Sequence, residues 1–332
     1  MTDAQRVGQL LMVGCPSTAV SSATVTAIQT YHVGSVILDG NSMLSVRQQK
    51  SITNTLQAKA PAHTKLFIST DQEGGLVRRM RGPGFSNMPS ALDQGQLSPN
   101  TLHNDASTWA GELKSAGINV NLAPVLDTVP PGDTNNPPIG DLDREYGHYE
   151  SWVTSHGTAV ASGFGAAGVI ATAKHFPGLG RVTGNTDTTT GVTDSMTSSR
   201  DAYLQPFAAA IRDGVPFVMM STAIYTRIDR RPAAFAPPIV TGILRGNLGF
   251  RGVVISDDLG AAKQVSGYEV GSRAWRFIGA GGDLVLTVNA AQAATMTAAV
   301  RARLKTNPSF KTKVYAAVLR VLTAKQSHGL LP

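Results

Sequence analysis

Eight short β-rich apolar runs punctuate this chain, at residues 9–15, 35–39, 65–71, 120–127, 169–176, 217–225, 252–258 and 283–288. Several, such as Val253-Val254-Ile255 and Leu284-Val285-Leu286, are apolar at consecutive positions. That is the pattern of a strand buried on both faces of a parallel sheet. Helical periodicity fills most intervals, at 46–59, 101–116, 150–163, 200–213, 239–248, 271–278 and 290–304, and a last helix at 311–325 closes the chain. Gly117, Gly214, Gly249 and Gly281 follow helical stretches, where a residue free to adopt positive φ ends a helix. Eight β/α units predict an α/β fold of the TIM (β/α)8 barrel class, with an open doubly wound sheet as the alternative. No linker-like stretch interrupts the 332 residues, so they read as one domain, 1–332, a size single barrels commonly reach.

Composition removes other classes. One cysteine, Cys15, excludes an intramolecular disulfide framework and a cysteine-based zinc cluster. None of the seven histidines stands at a metal-binding spacing with a nearby acid, so neither metal nor cofactor is expected. No apolar run approaches the ~18 residues of a membrane span. The net charge of +7 is scattered, its densest groups being Arg78-Arg79-Met80-Arg81 and residues 227–231. Without interleaved aromatics these are no platform for nucleic acid, though a diffuse positive field also suits an anionic wall polymer. The first residues lack the basic and apolar regions of a secretory leader. The chain as it stands therefore reads as cytoplasmic, or as a secreted or envelope protein if a leader has been removed. A monomer is the expectation.

Polar residues recur where the apolar runs end: Asp39, Asp71, Asp127, Lys174-His175, Ser221-Thr222 and Asp257-Asp258. Singly, each has an ordinary structural explanation as a turn residue, a loop cap or a satisfied histidine. Together they form the ring of acids and bases that a barrel carries at the carboxyl ends of its strands when it is an enzyme. Met219-Met220 reads as core packing. The longest irregular stretches also follow strand ends: 128–143, with four Pro and two Gly, and 178–194, with Gly178, Gly180, Gly184 and Gly191. Loops of this length usually carry function.

Four motifs occur in order: Asp71-Gln72-Glu73-Gly74-Gly75, Asn121-Leu122-Ala123-Pro124-Val125-Leu126-Asp127, Lys174-His175-Phe176-Pro177-Gly178 and Ser256-Asp257-Asp258-Leu259. In these the chain resembles family 3 glycoside hydrolases, specifically the single-domain bacterial β-N-acetylglucosaminidases, over nearly its whole length. The resemblance implies a retaining exo-β-N-acetylglucosaminidase acting on peptidoglycan- or chitin-derived fragments, with a carbohydrate as its partner. It implies Asp257 as the nucleophile that forms a covalent glycosyl-enzyme. Asp71, Arg79, Arg144, Lys174 and His175 become the residues that hold the sugar, through charge-assisted hydrogen bonds to its hydroxyls. Asp258 is expected to be structural and, by strand alternation, to face away from the pocket.

The family pattern breaks at its acid/base, a loop histidine two residues after an aspartate. Asp187 matches the aspartate, but Thr189 stands in the histidine's place, and Leu179 replaces a second histidine. Ser221-Thr222 likewise stand where the family usually has a histidine. Asp187 is then the expected proton donor, provided loop closure desolvates it, with Asp194 as another carboxyl that could serve. The alternatives are a non-catalytic or weakly active sugar-binding relative, a β-glycosidase or phosphorylase of different specificity, and a Schiff-base lyase on Lys174.

Overall fold

The computed structural model describes residues 1–61 and 63–331. Its eight principal strands are β1 (Leu11–Pro16), β2 (Ser35–Asp39), β3 (Phe67–Thr70), β4 (Val120–Asn121), β5 (Ile170–Phe176), β6 (Phe217–Met220), β7 (Val253–Asp258) and β8 (Leu284–Thr287). All pair in parallel and in sequence order, and β1 pairs with β8 through Leu11↔Val285 to close the barrel. Each expected apolar run contributes one strand. The helices packed around them are α1 (Asp3–Gly8), α2 (Ser22–Tyr31), α3 (Val46–Gln57), α4 (Ala91–Gln94), α5 (Pro99–Ser115), α6 (Glu150–Ala166), α7 (Gln205–Arg212), α8 (Val270–Ala280), α9 (Ala293–Thr306) and α10 (Pro308–Ser327).

Local chemistry sets the boundaries. Ser45 and Gln48 form a reciprocal capping box at the start of α3, and Ser98 caps α5 just ahead of Pro99. Gly117, Gly214, Gly249 and Gly281 all have positive φ, as their positions demand. The expected helix at 200–213 instead begins as a 3-10 turn and becomes α-helical at Gln205. Pro206 explains this, since proline is tolerated in a first turn and not in a helix interior. The expected helix at 239–248 is a π-helix, Pro238–Asn247. Helix α2 lies in a stretch assigned no helix; its β-branched Thr24, Val25, Thr26 and Ile28 disguise it, although Ser21 caps it by accepting from Thr24 N–H.

Two runs join the barrel only at their beginnings. Pro124 ends the regular ladder after Asn121, leaving one isolated bridge from Val125 to Lys174. Past Met220, Ile224–Tyr225 pairs instead with Thr193–Asp194 in a separate two-stranded sheet.

The closed, amino-terminal end of the barrel is packed by Phe67 and Phe217, edge to face at 5.3 Å, and by Lys325 of α10. The Lys325 ammonium is fully buried and donates to Gln9 Oε1, Gly34 O and Lys65 O, each at 2.8 Å. Among the described residues no carboxylate lies within ion-pair distance of it. Lys325→Met should fill the space yet leave Gln9 Oε1 and Lys65 O without their donor, at about 1–3 kcal/mol each, while Gly34 O keeps the Phe67 amide at 3.2 Å. The urea midpoint of unfolding should fall accordingly, and an unchanged midpoint would mean that water replaces the ammonium without penalty.

Candidate active site

At the opposite end the strands open into a cleft of about 1000 Å³. Asp257, Asp187, Asp71, Arg79, Arg144, Lys174 and His175 all line it. Residues from β3, β5 and β7 and from three long loops thus converge on one face, with Ile37, Leu122, Met219 and Leu286 as its apolar wall.

The charges on one side form a single network. Lys174 Nζ lies 2.6 Å from Asp71 Oδ1 and 2.6 Å from Glu73 Oε1. Glu73 in turn receives both Nε and Nη2 of Arg144 at 2.8 Å, a two-pronged pair. Arg144 spends its remaining nitrogen on Pro138 O at 2.6 Å. Burial alone would raise the Glu73 carboxyl, but Arg144 and Lys174 outweigh it and hold it far below the ordinary carboxylate range. Burial likewise opposes the Lys174 charge, and Asp71 and Glu73 more than compensate, keeping the amine above its usual value. A lysine so clamped is a cationic hydrogen-bond donor. It is not the free amine that Schiff-base chemistry requires.

Asp127 stands behind this layer, fully buried. Its Oδ2 lies 2.7 Å from His175 Nδ1, and its Oδ1 accepts from the His175 and Leu179 amides at 3.1 and 2.8 Å. That fixes the imidazole with its other nitrogen toward the cleft. Arg79 Nη1 reaches Asn41 Oδ1 at 3.3 Å on the rim.

Asp257 is different from every other acid here. One oxygen accepts the Asp258 amide at 2.8 Å, and no side chain donates to it among the described residues. Its recessed position and the negative charge of Asp187 push its pKa up to about 6, against the pull of His175, the Asp258 amide and Lys174. At neutral pH it is therefore ionised, aimed into the cleft, and without a countercharge in contact.

Asp258 corrects the expectation from strand alternation. A register shift between Ile255 and Asp258 breaks the alternation and brings both aspartates to the cleft wall. It is nonetheless structural, because its carboxylate is occupied by the amides of Gly260, Ala261 and Val288. Met219 lines the cleft in addition to packing the core. Ser221 does not reach it; its hydroxyl accepts from the Ala223 amide and the Tyr225 hydroxyl.

The glycine-rich loop is fastened on both flanks. Lys263 N–H donates to Asp187 O at 3.1 Å and Gln264 N–H to Thr186 O at 3.0 Å. The Gln264 side chain brackets the Val192 backbone with two 3.0 Å bonds, and Asn136 Nδ2 holds Leu179 O and Val182 O. The Thr193–Asp194 pairing anchors its far end. Asp187 is exposed at the mouth, and Thr189 is not among the residues that line the cleft. Asp194 is consumed by Met196 and Thr197, which removes it as an alternative donor.

Sequence alone does not single out Glu73, whose available signal is its position ahead of Gly74 and Gly75, both at positive φ; Asp127 belongs to the expected ring of strand-end acids and bases, and its partner His175 is what the structure adds.

Residues 2–324 match the model of the glycosyl hydrolase family 3 N terminal domain. The chain is 33% identical over 285 residues to a beta-hexosaminidase of Stenotrophomonas maltophilia, covering 83% of this chain and 82% of that one. The crystal structure of a beta-N-acetylhexosaminidase from Beutenbergia cavernae superposes with a TM-score of 0.96 at 48% identity, over 98% of this chain and 99% of that one. A family 3 beta-N-acetylglucosaminidase from Paenibacillus superposes with a TM-score of 0.91 at 31% identity, over 99% of this chain and 63% of that one.

Proposed function

The chain belongs to glycosyl hydrolase family 3, and from that premise we propose that it is a retaining exo-β-N-acetylglucosaminidase, releasing terminal N-acetylglucosamine from peptidoglycan- or chitin-derived fragments. The observation that carries this reading is the pair of cleft carboxyl groups, Asp257 recessed without a cation in contact among the described residues and Asp187 at the mouth, close enough to shift its partner.

In the first step an Asp257 oxygen bonds to the anomeric carbon as the glycosidic oxygen leaves with the Asp187 proton. In the second, Asp187 takes a proton from water, the water oxygen bonds to the anomeric carbon, and the Asp257 carboxylate departs. Two inversions give net retention. One carboxyl group thus serves both steps, as acid in the first and as base in the second. Lys174, Asp71, Arg144 and His175 hold hydroxyls of the terminal sugar, with Arg79 at the rim. Their opposed charges offer donors and acceptors side by side, as paired hydroxyls require.

Asp187→Ala tests the assignment through the leaving group. An activated aryl N-acetylglucosaminide departs without a proton, so its kcat/KM should stay within several-fold of wild type. The natural disaccharide should lose roughly 10²–10⁴-fold. Azide, needing no base, should restore turnover of the aryl substrate and yield the β-glycosyl azide. Equal losses on both substrates would place the proton donor elsewhere.

A further inference from the structure

On the outer wall of the barrel, the stretch 231–237 ahead of the π-helix, α8 and the junction of α9 with α10 enclose a second cleft, of about 690 Å³ and open to solvent. It shares no lining residue with the strand-end cleft. Arg231, Arg276, Arg303 and Lys313 line it together with Trp275 and Phe310, and no acidic residue is among its walls. Arg231 is neutralised by Asp229 at 2.6 Å. Lys313 uses one N–H on Gly279 O at 2.6 Å and keeps its charge unmatched.

Arg276 and Arg303 have no carboxylate within 4.0 Å among the described residues and donate no side-chain hydrogen bond there; Arg276 Nε is buried with no partner at all. Aromatic faces hold them instead. The Arg303 guanidinium lies 4.1 Å from the Trp275 ring centre, and that of Arg276 lies 4.6 Å from Trp275 and 5.1 Å from Tyr268. A guanidinium held against an aromatic face in this way has less freedom to lose, and its terminal N–H groups have no partner among the described residues. Less side-chain freedom is lost when an anion arrives.

We infer that this cleft is a binding site for a phosphate ester. Two guanidinium forks and one ammonium suit the dianion and three terminal oxygens of a phosphate monoester, or successive phosphates of a phosphodiester chain, whereas a single carboxylate would leave most of that positive charge unmet. The ligand's source is either a small phosphate ester or a phosphodiester polymer chain, and the net charge of +7 would gather either from solution.

The test is calorimetric titration of the full chain with glycerol 3-phosphate and with a short poly(glycerol phosphate), at fixed ionic strength, with acetate as control. Both esters should bind, acetate should not, and Arg276→Gln/Arg303→Gln should weaken binding by about tenfold or more through loss of two charge-assisted contacts. Hydrolysis of the aryl substrate by this variant should equal wild type, which shows that it is folded. A polymer binding far more tightly than the monoester identifies the phosphodiester chain as the ligand; equal affinity per phosphate identifies the small ester. Absence of binding by both esters, equal binding by the double variant, or equal binding of acetate would overturn the assignment.

Discussion

Asp257→Ala should abolish turnover of an activated aryl N-acetylglucosaminide, lowering kcat/KM by roughly 10⁴-fold or more, the scale on which loss of a covalent nucleophile is felt. No neighbouring carboxylate stands ready to substitute: Asp258 is held by three backbone amides, Asp71 by Lys174, and Asp127 by His175. The variant should remain folded, because the Asp257 side chain accepts only its neighbour's amide. In the wild type the same group should set the acid limb of the pH profile. Its pKa is pushed up to about 6, the reacting form is the anion, and so kcat/KM should fall as the pH drops through that value. Part of the rise comes from the charge of Asp187. Asp187→Asn removes that charge and should shift the acid limb to lower pH; an unmoved limb would mean that the two carboxyl groups do not interact.

Glu73→Gln should be the most damaging change outside the reacting pair. Glu73 joins Lys174 to Arg144, and neutralising it leaves Arg144 without a carboxylate partner and two recessed cations facing each other. Breaking a buried pair from one side typically costs about 3–5 kcal/mol. A kcat/KM loss on the order of 10²–10³-fold is expected as well, because both cations would lose their aim at the sugar. Urea unfolding and steady-state kinetics read the two effects separately. The pH dependence supplies a sign. Glu73 titrates well below its unfolded value of ~4.3 in the folded protein, so its contribution is complete above that value and is lost as the pH falls beneath it. Wild type should therefore lose stability more steeply than Glu73→Gln on acidification below ~4.3. Parallel losses, with wild-type kinetics, would reduce the network to a surface ornament.

The barrel was legible because its strands are buried on both faces, which makes them continuous apolar runs; Val253–Ile255 and Leu284–Leu286 could hardly be anything else in a chain of this length. The cleft was legible one level up, since acids and bases placed directly after such runs must meet polar surroundings. What escaped was pairing. Lys174 meets Asp71 across 103 residues, and His175 meets Asp127 across 48; only closure of the barrel brings them together. Glu73 and Asp127 act through those partners and not on the substrate, so their identities alone carried no sign of their work. The bulge after Ile255 and the π-helical form of Pro238–Asn247 are departures from regular periodicity, which a periodic reading necessarily misses.

The loop that carries Asp187 has glycines enough to swing, yet Gln264, Lys263, Asn136 and the Thr193–Asp194 pairing tie it down along most of its length. It works like the fixed jaw of a vice: the opening is set before anything enters, and the glycan end must fit the gap that it finds. Such a jaw sacrifices tolerance for repeatability. On the proposed function, chain ends that match the gap should be cut turn after turn without waiting for a hinge, and thicker, branched ends should be poor substrates.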